Sequence, residues 1–217
     1  MADKDSRAGA RYADADILDY VNRIHGPHDE ALEHAFSAPE RGDIPAIQVG
    51  PGEGRLLELL LRMVGARRVV EIGTLAGYSA IRCARALGPD GKLWTIEMMP
   101  KHAEVARSNI ERAGLSDRVE VLVGEAAKVL PTIERHGPFD AVFIDADKEG
   151  YAHYGSWAAR HLRTGGLLLG DNAFLFGGLL GDTPAAVAMR RFHEEAVAAF
   201  ESVCIPTPDG LLLGIKR

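Results

Sequence analysis

The sequence has few cysteines, no excess of basic residues and no long apolar run. Cys83 and Cys204 are the two cysteines in 217 residues, too few for a disulfide framework. Lys and Arg total 25 against 31 for Asp and Glu, a net charge of −6, which argues against a nucleic-acid partner. Apolar runs stay short of the roughly 20 residues of a membrane span. The N-terminal residues lack the apolar segment of a signal peptide. We therefore expect a soluble cytoplasmic protein that binds no nucleic acid and no membrane.

What is present is the composition of a single globular domain. The chain is 47% hydrophobic and 26% charged, and its length favours one domain over residues 1–217. Residues 1–55 are charged and helical in pattern, with helices predicted at 12–24 and 29–36 and a Pro- and Gly-rich loop at 39–54. We expect this part to form a lid on an α/β core over 56–217, which opens with an apolar helix at 56–63.

From residue 68 onward, short apolar runs alternate with helical patterns. The predicted strands are 68–73, 92–97, 118–124, 139–145 and 166–172, followed by a closing antiparallel pair at 200–206 and 210–217. The predicted helices are 76–87, 100–113, 125–130, 148–162 and 183–200. This alternation predicts a mostly parallel sheet covered by helices on both faces. In such sheets, ligands bind beyond the carboxyl ends of the strands.

A glycine-containing turn follows the first predicted strand, in the segment EIGTLAGYS at 71–79. Gly73 and Gly77 allow a sharp turn and a close approach of a ligand, although a plain packed strand-to-helix turn would show the same glycines. The three-glycine dinucleotide fingerprint is absent. Glu71 would repel a phosphate and could accept a hydrogen bond from an ammonium group. The turn therefore favours a cofactor that carries an amino acid over a dinucleotide.

The next two strand ends carry candidates for the rest of such a cofactor. Glu97 ends the second strand, where a carboxylate can accept hydrogen bonds from both hydroxyls of a ribose; a solvated charge is the alternative. Ala126 follows Gly124 and Glu125 after the third strand. Small residues there leave room for an adenine ring, although the start of a helix explains them equally well.

Polar residues also follow the fourth and fifth strands, as DADK at 145–148 and DN at 171–172. Because these strands are expected to be neighbours, Asp145, Asp171 and Asn172 should converge. Two carboxylates and an amide oxygen form a hard ligand set that suits Mg²⁺, Mn²⁺ or Ca²⁺ and does not suit zinc. Either aspartate alone could instead cap a helix, and Lys148 could be a solvated lysine.

Two other metal sites are weaker interpretations. The segment from Asp145 resembles the start of an EF-hand loop, but its twelfth position is Ser156, which lacks the required carboxylate. A second candidate group lies in the front end, at His25, His28, Glu30, Glu33 and His34. Its spacing matches no closed tetrahedral zinc site, so we expect surface histidines on amphipathic helices.

Together these residues resemble the cation-dependent O-methyltransferases, the family of catechol and caffeoyl-coenzyme A O-methyltransferases. The resemblance runs from about Ile47 to the C-terminus, and its most specific motifs are FIDADK at 143–148 and GDN at 170–172. It implies a Rossmann-like class I methyltransferase fold, α/β, with a seven-stranded mostly parallel sheet and a C-terminal antiparallel hairpin. It also implies S-adenosylmethionine and a divalent cation as cofactors, with Mg²⁺ the first choice, and a homodimer.

The resemblance also implies a role for each matching residue. Ile47 and Val49 are implied to flank the cofactor, and Glu71, Gly73, Thr74 and Ser79 to hold its methionine end. Glu97 is implied to bind its ribose and Ala126 to lie by its adenine. Asp145 is also implied to contact the cofactor. The implied metal ligands are Asp145, Asp171 and Asn172. Lys148 stands where the family has its proposed general base, and Asp145 is grouped with it as catalytic.

The implied reaction moves a methyl group from S-adenosylmethionine to a hydroxyl of a catechol-like aromatic diol. Vicinal hydroxyls can chelate a cation that lowers the pKa of a bound hydroxyl, and Lys148 could remove its proton. Leu175 and Phe176 stand where plant coenzyme-A-ester enzymes usually carry Trp-Asn. This difference favours an aromatic diol other than the substrate of the plant enzymes. The region of Asp182 and the segment 206–210 are expected to shape the acceptor pocket.

Two other functions compete with this hypothesis. An NAD-linked dehydrogenase would share the strand-and-helix alternation, but the missing three-glycine fingerprint weighs against it. A non-catalytic cofactor-binding protein would have no use for the converging carboxylates and Lys148.

Overall fold

A computed structural model describes residues 4–7, 13–42 and 44–217 of the chain. Its strands are β1 (Arg68–Ile72), β2 (Lys92–Glu97), β3 (Val119–Val123), β4 (Phe139–Ile144), β5 (Leu162–Gly170), β6 (Phe200–Ile205) and β7 (Leu211–Lys216). They form one seven-stranded sheet in the order β3-β2-β1-β4-β5-β7-β6. β1 to β5 pair in parallel, whereas β7 runs antiparallel to both β5 and β6. The expected fold class is confirmed.

Helices precede the sheet and connect its strands. They are α1 (Lys4–Arg7), α2 (Ala15–His25), α3 (Glu30–Phe36), α4 (Ala38–Arg41), α5 (Pro51–Met63), α6 (Tyr78–Ala86), α7 (Pro100–Arg112), α8 (Ala126–Ile133), α9 (Tyr151–His161) and α10 (Pro184–Ala199). Short 3-10 turns occupy Glu134–His136, Lys148–Gly150 and Leu175–Gly177. None of the helices in the described ranges is both long enough and apolar enough to cross a bilayer.

The sheet is buried on both faces because alternate residues of each central strand pack against opposite helix layers. In β4, Phe143 belongs to the core that includes residues of α3, α5, α6 and α7. Its neighbours Val142 and Ile144 belong to the core that includes residues of α8, α9 and α10. The near-continuous apolar run that predicted a doubly covered strand is thereby explained.

Several predicted boundaries shift by a few residues, for local reasons. The helix predicted from residue 76 begins at Tyr78, because Gly77 has a φ of +80° and closes a turn onto the carbonyl of Thr74. The helix predicted at 148–162 is a 3-10 turn followed by α9, and β5 starts four residues earlier than predicted, at Leu162.

The front end departs more from the prediction. The predicted loop at 39–54 contains most of the short helix α4 and the first turn of α5. α5 starts early because Glu53 accepts a hydrogen bond from the N–H of Gly50 at 3.0 Å, which closes the helix start. The helix predicted over 12–24 is observed as α2, and its first predicted residue, Tyr12, lies outside the described residues.

Candidate active site

The carboxyl ends of the parallel strands meet at one edge of the sheet. The residue that follows β1, β4 or β5 still donates a backbone hydrogen bond to the neighbouring strand. These backbone bonds, 2.8 to 2.9 Å long, run from Gly73 to Ile96, from Asp145 to Ile72 and from Asp171 to Ile144. β1 lies between β2 and β4, so the chain leaves β1 toward one side and later returns on the other. This is the switch point at which open α/β sheets bind ligands.

A cavity of about 670 Å³ opens at this edge. The expected site residues that line it are Ile47, Val49, Gly73, Thr74, Ser79, Glu97, Asp145, Lys148, Asp171 and Asn172. Glu71 and Ala126 are not among the lining residues. Asp182 is not either, whereas Pro208 and Asp209 from the expected pocket segment are.

Gly73 lets the backbones at the tips of β1 and β4 approach more closely than any side chain permits. A Cβ atom there would lie 1.9 Å from the carbonyl oxygen of Asp145, and φ at Gly73 is +98°. A contact with backbone cannot be relieved by rotating a side chain. The glycine therefore holds the turn after β1 next to the DADK motif.

Glu97 organises the turn after β1. One carboxylate oxygen, Oε2, accepts the backbone N–H groups of Leu75 at 2.8 Å and Thr74 at 3.3 Å. The other, Oε1, accepts the N–H of Met99 at 2.9 Å and lies 3.5 Å from Nδ1 of His102. Glu97 is thus held rigidly at the cavity wall. Because each carboxylate oxygen has two lone pairs, Oε1 keeps capacity for a further donor, whereas Oε2 already accepts two.

Glu71 lies behind the cavity wall and is fully buried. Its Oε2 accepts the hydroxyl of Thr95 at 2.5 Å, and the hydroxyl of Thr95 in turn contacts that of Thr74, which lines the cavity. Burial raises the pKa of Glu71 to about 7, against the lowering effect of the Ser79 and Thr95 hydroxyls. Glu71 therefore reaches the cavity through neighbouring hydroxyls and not by direct exposure.

Asp145 and Asp171 bring two carboxylates together at the tips of β4 and β5. Burial and the nearby charge of Asp145 together raise the pKa of Asp171 to about 7. Burial also raises the pKa of Asp145, whereas Lys148 lowers it. Asp171 is buried and the side chain of Asp145 is partly buried, and an added cation stabilises neighbouring carboxylates of this kind. Asn172, which also lines the cavity, adopts a left-handed backbone with φ of 53°.

Lys148 is held between two partners. Its Nζ atom lies 3.3 Å from Oδ1 of Asp145 and donates to the hydroxyl of Tyr151 at 2.9 Å. That hydroxyl lies 3.0 Å from the carbonyl of Asp171 and 3.2 Å from that of Ile144. Tyr151 is fully buried. Tyr151 was not among the predicted site residues, although its position three residues after Lys148 is the spacing of side chains that share a helix face.

No group of three or more His, Cys, Asp or Glu side chains is placed to hold a metal ion within residues 4–7, 13–42 and 44–217. The expected ligand set is not a group of this kind, because its third member, Asn172, is an amide and only Asp145 and Asp171 are carboxylates. The expectation that the front-end histidines lie at the surface is wrong for His28. Its side chain is mostly buried, and Nε2 bonds the hydroxyl of Tyr78 at 2.8 Å while Nδ1 bonds Glu33 at 2.9 Å.

Other cavity residues were not among the predicted site residues. They come from the front loop, from the turn after β1, from α5, α6 and α7, and from the segments after β4 and β5: Ala46, Gln48, Glu53, Leu75, Ala76, Tyr78, His102, Ala146 and Phe176. Tyr78 lay within the EIGTLAGYS segment and could have been found there. Glu53 and His102 carry no local signal, because helix packing alone brings them to this edge.

Known proteins resemble this chain in sequence. A family model described as O-methyltransferase matches residues 26–217. A catechol O-methyltransferase of Mycobacterium tuberculosis is 50% identical over 165 residues, which cover 75% of this chain and 74% of that protein. A catechol O-methyltransferase of Niastella koreensis is 41% identical over 210 residues, which cover 91% of this chain and 95% of that protein.

The structural comparison agrees with the sequence comparison. The crystal structure of an O-methyltransferase from Bacillus cereus in complex with SAH has a TM-score of 0.88 and 38% sequence identity to this chain. The match covers 92% of this chain and 96% of that one. The chain therefore belongs to the O-methyltransferase family and is an S-adenosylmethionine-dependent O-methyltransferase.

Proposed function

We propose that this enzyme methylates one hydroxyl of a catechol-like aromatic diol and that it uses a divalent cation, with Mg²⁺ the first choice and Mn²⁺ or Ca²⁺ the alternatives. The observation that carries the proposal is the pair of carboxylates at adjacent strand tips beside the cavity, the partly buried Asp145 and the buried Asp171. The two relatives named above are both catechol O-methyltransferases. Their names support the same class of acceptor.

The residues present fit a divalent cation. Asp145, Asp171 and Asn172 would hold it, since hard oxygen donors are the ligands that Mg²⁺ prefers. The pKa of each aspartate is raised chiefly because burial disfavours the charged form, and for Asp171 also by the charge of Asp145; a bound cation would favour the charged form of both. When bound, the ion lowers the pKa of a hydroxyl that coordinates to it.

Lys148 is the group that we propose as the proton acceptor for the hydroxyl. Its Nζ atom is anchored by Asp145 and Tyr151 at the cavity wall. As a neutral amine, Lys148 would take the proton of the acceptor hydroxyl onto the lone pair of Nζ and become an ammonium group beside the carboxylate of Asp145. Ionisation of the hydroxyl supplies the nucleophile that a sulfonium methyl group requires. Asp145 contributes by holding Lys148 as well as by its charge.

The remaining wall of the cavity suits S-adenosylmethionine. We assign the methionine end to Gly73, Thr74 and Ser79, with Glu71 acting through the hydroxyls that contact it. Glu97, already positioned by backbone N–H groups, would bind the ribose by accepting a hydroxyl at Oε1. The flanking loop would supply Ile47 and Val49, and we keep Ala126 as the residue beside adenine, although it lies outside the cavity lining.

Apolar side chains at the cavity support an aromatic acceptor. Ile47 and Phe176 line the cavity, yet they are 70% and 76% exposed. Apolar side chains left in water at a pocket are typical of ligand contact surfaces. A flat ring that packs against them would bring its hydroxyls toward the strand tips.

The direct test is methyl transfer from S-adenosylmethionine to a panel of catechols with Mg²⁺, Mn²⁺ or Ca²⁺. We expect a chelator to abolish turnover, the added cation to restore it, and Asp171→Ala to remain inactive under both conditions. Asp182→Ala is the matched control, because Asp182 is an exposed aspartate outside the cavity lining. Full activity of the metal-stripped enzyme would refute the cation's role, and no turnover of any catechol would refute the acceptor class.

We also propose that the enzyme is a homodimer and that it works in the cytoplasm. Exposed apolar side chains on α2, namely Ile17, Tyr20 and Ile24, support a protein contact on that helix. The molar mass in solution, measured by light scattering, decides between monomer and dimer. A mass near 23.4 kDa, that of one chain, would refute the dimer.

A further inference from the structure

The loop after β5 holds three non-glycine residues in a backbone conformation that side chains disfavour. Asn172, Leu175 and Phe176 have φ angles of 53°, 51° and 51°, in the left-handed region. Such conformations persist only where the surrounding structure holds them. The loop therefore depends on support from another part of the chain.

The turn between β6 and β7 supplies that support through three hydrogen bonds. The N–H of Ala173 donates to the carbonyl of Gly210 at 2.9 Å, and the N–H of Phe174 donates to the carbonyl of Asp209 at 2.9 Å. These two are backbone bonds that do not depend on the side chain at residue 209. The third depends on it, because the N–H of Phe176 donates to Oδ1 of Asp209 at 2.7 Å.

Close packing joins the same turn and loop. A Cβ atom at Gly210 would lie 2.9 Å from three ring atoms of Phe174, and φ at Gly210 is +78°. The backbone of the turn therefore lies directly on that ring. The turn and the loop form one unit, in which the carboxylate of Asp209 holds Phe176 at the end of the loop that is farther from β5.

The far end of this loop is part of the cavity. Phe176, Pro208 and Asp209 all line it. Phe176 is 76% exposed, so little packing fixes its ring, and its position follows from its backbone. The near end of the loop carries Asn172, one of the proposed metal ligands.

We propose that Asp209 is a positioning residue for the methyl acceptor. Its Oδ1 atom holds the N–H of Phe176, so that the ring of Phe176 forms a fixed wall against the aromatic ring of the acceptor. This inference rests on the proposed function for the identity of the acceptor. It assigns to Asp209 no contact with S-adenosylmethionine and no part in the proton transfer.

A set of variants separates this role from a general effect on folding. Asp209→Ala removes the acceptor atom for the N–H of Phe176, whereas Asp209→Asn keeps an oxygen there. Phe176→Ala removes the ring itself, and the double variant tests whether Asp209 acts through it. Asp182→Ala is again the exposed-aspartate control.

Three measurements apply to every variant in the presence of Mg²⁺. The first is steady-state kinetics with a catechol, and the second is the affinity for S-adenosylhomocysteine from calorimetry. The third is hydrogen exchange of the backbone amides in residues 173–178, which reports on the loop without any need for turnover.

We expect Asp209→Ala to raise KM for the catechol roughly tenfold, the size of effect that the loss of one hydrogen bond to a charged group produces. Phe176→Ala should raise KM to a similar extent, because it removes the apolar ring against which the acceptor packs. The double variant should be no worse than either single variant. Asp209→Asn should stay within about threefold of wild type by the same reasoning. Exchange at 173–178 should speed up in the two variants that carry Asp209→Ala and in no other, and the affinity for S-adenosylhomocysteine should not change in any variant.

Three results would overturn the inference: unchanged exchange in Asp209→Ala, additive effects on KM in the double variant, or an Asp209→Asn variant as impaired as Asp209→Ala. A wild-type enzyme that methylates no catechol would overturn the proposed function instead. In that case, exchange at 173–178 would still show whether Asp209 holds the loop.

Discussion

Glu71 is a buried carboxyl whose charge depends on pH in the neutral range. Its pKa rises from 4.5 to about 7 on folding, chiefly through burial. The folded protein thus keeps a proton that the unfolded chain loses between these two values. The stability contributed by this group is complete below pH 4.5 and is lost as the pH rises through 7.

We predict that Glu71→Gln removes this pH dependence. Between pH 4.5 and 7.5, the free energy of unfolding of the wild type should fall relative to the variant by about 3 kcal/mol, since one pKa unit corresponds to about 1.36 kcal/mol. Urea unfolding at several pH values measures the difference. Glu111→Gln, at an exposed position on α7, serves as the control and should run parallel to wild type.

Parallel stability curves for wild type and Glu71→Gln would show that Glu71 ionises in the folded protein as it does in the unfolded chain. The amide of Glu71→Gln keeps an oxygen that can accept the hydroxyl of Thr95. The variant and the wild type therefore differ in their ionisation and not in this hydrogen bond.

At the scale of elements, the tips of β1 and β4 approach through a glycine. We predict that Gly73→Ala destabilises the protein by more than about 3 kcal/mol, because the new methyl group would meet a backbone carbonyl that cannot move aside. Gly114→Ala is the matched control. Gly114 also has a positive φ, of +68°, but has open space around it, so we expect a loss of only about 1 kcal/mol.

Thermal and urea unfolding of the two variants measure these losses. Equal losses would mean that the backbone angle, and not the contact with Asp145, makes Gly73 necessary.

The sequence predicted most elements because their signals are local. The apolar run in β4 and the proline at the start of α7 each act within a few residues. The start of β5 was missed because a longer contact decides it, since Leu162 pairs with Phe139 of β4. The start of α5 was missed although its signal is local, because Glu53 closes the first turn onto Gly50 within a Pro- and Gly-rich segment.

At the scale of the whole molecule, a bound cation should stabilise the fold. At pH 8, where the carboxyl of Asp171 is ionised, Mg²⁺ at ten times its Kd should add about 1.4 kcal/mol to the free energy of unfolding. That corresponds to roughly 3 to 6 °C in Tm for a chain of this size. Asp171→Asn should lose the shift, as measured by thermal unfolding with and without Mg²⁺.

Asp147→Asn is the control for this measurement. Asp147 belongs to the same DADK segment, but its Oδ1 accepts the hydroxyl of Tyr154 at 2.7 Å and it does not line the cavity. It should keep the full Mg²⁺ shift. A shift retained by Asp171→Asn and lost by Asp147→Asn would move the proposed cation site along the segment.

By itself, the sequence determined the α/β alternation and the polar residues at the strand ends, because both are written in short stretches of neighbouring residues. The position of those residues after buried strands was enough to predict that Asp145 and Asp171 share one site. The chain order did not contain the strand order β3-β2-β1-β4-β5-β7-β6. That order depends on which buried surfaces pack together.

Only the tertiary structure brought Asp209 to the loop that follows Asn172 and showed that Glu71 lies behind the cavity wall. These relations join residues far apart in the chain, through hydrogen bonds and packing that no local pattern specifies. Tyr151 is an intermediate case, close to Lys148 in sequence. The shared contact of its hydroxyl with β4 and with the residue after β5 exists only because those strands are neighbours.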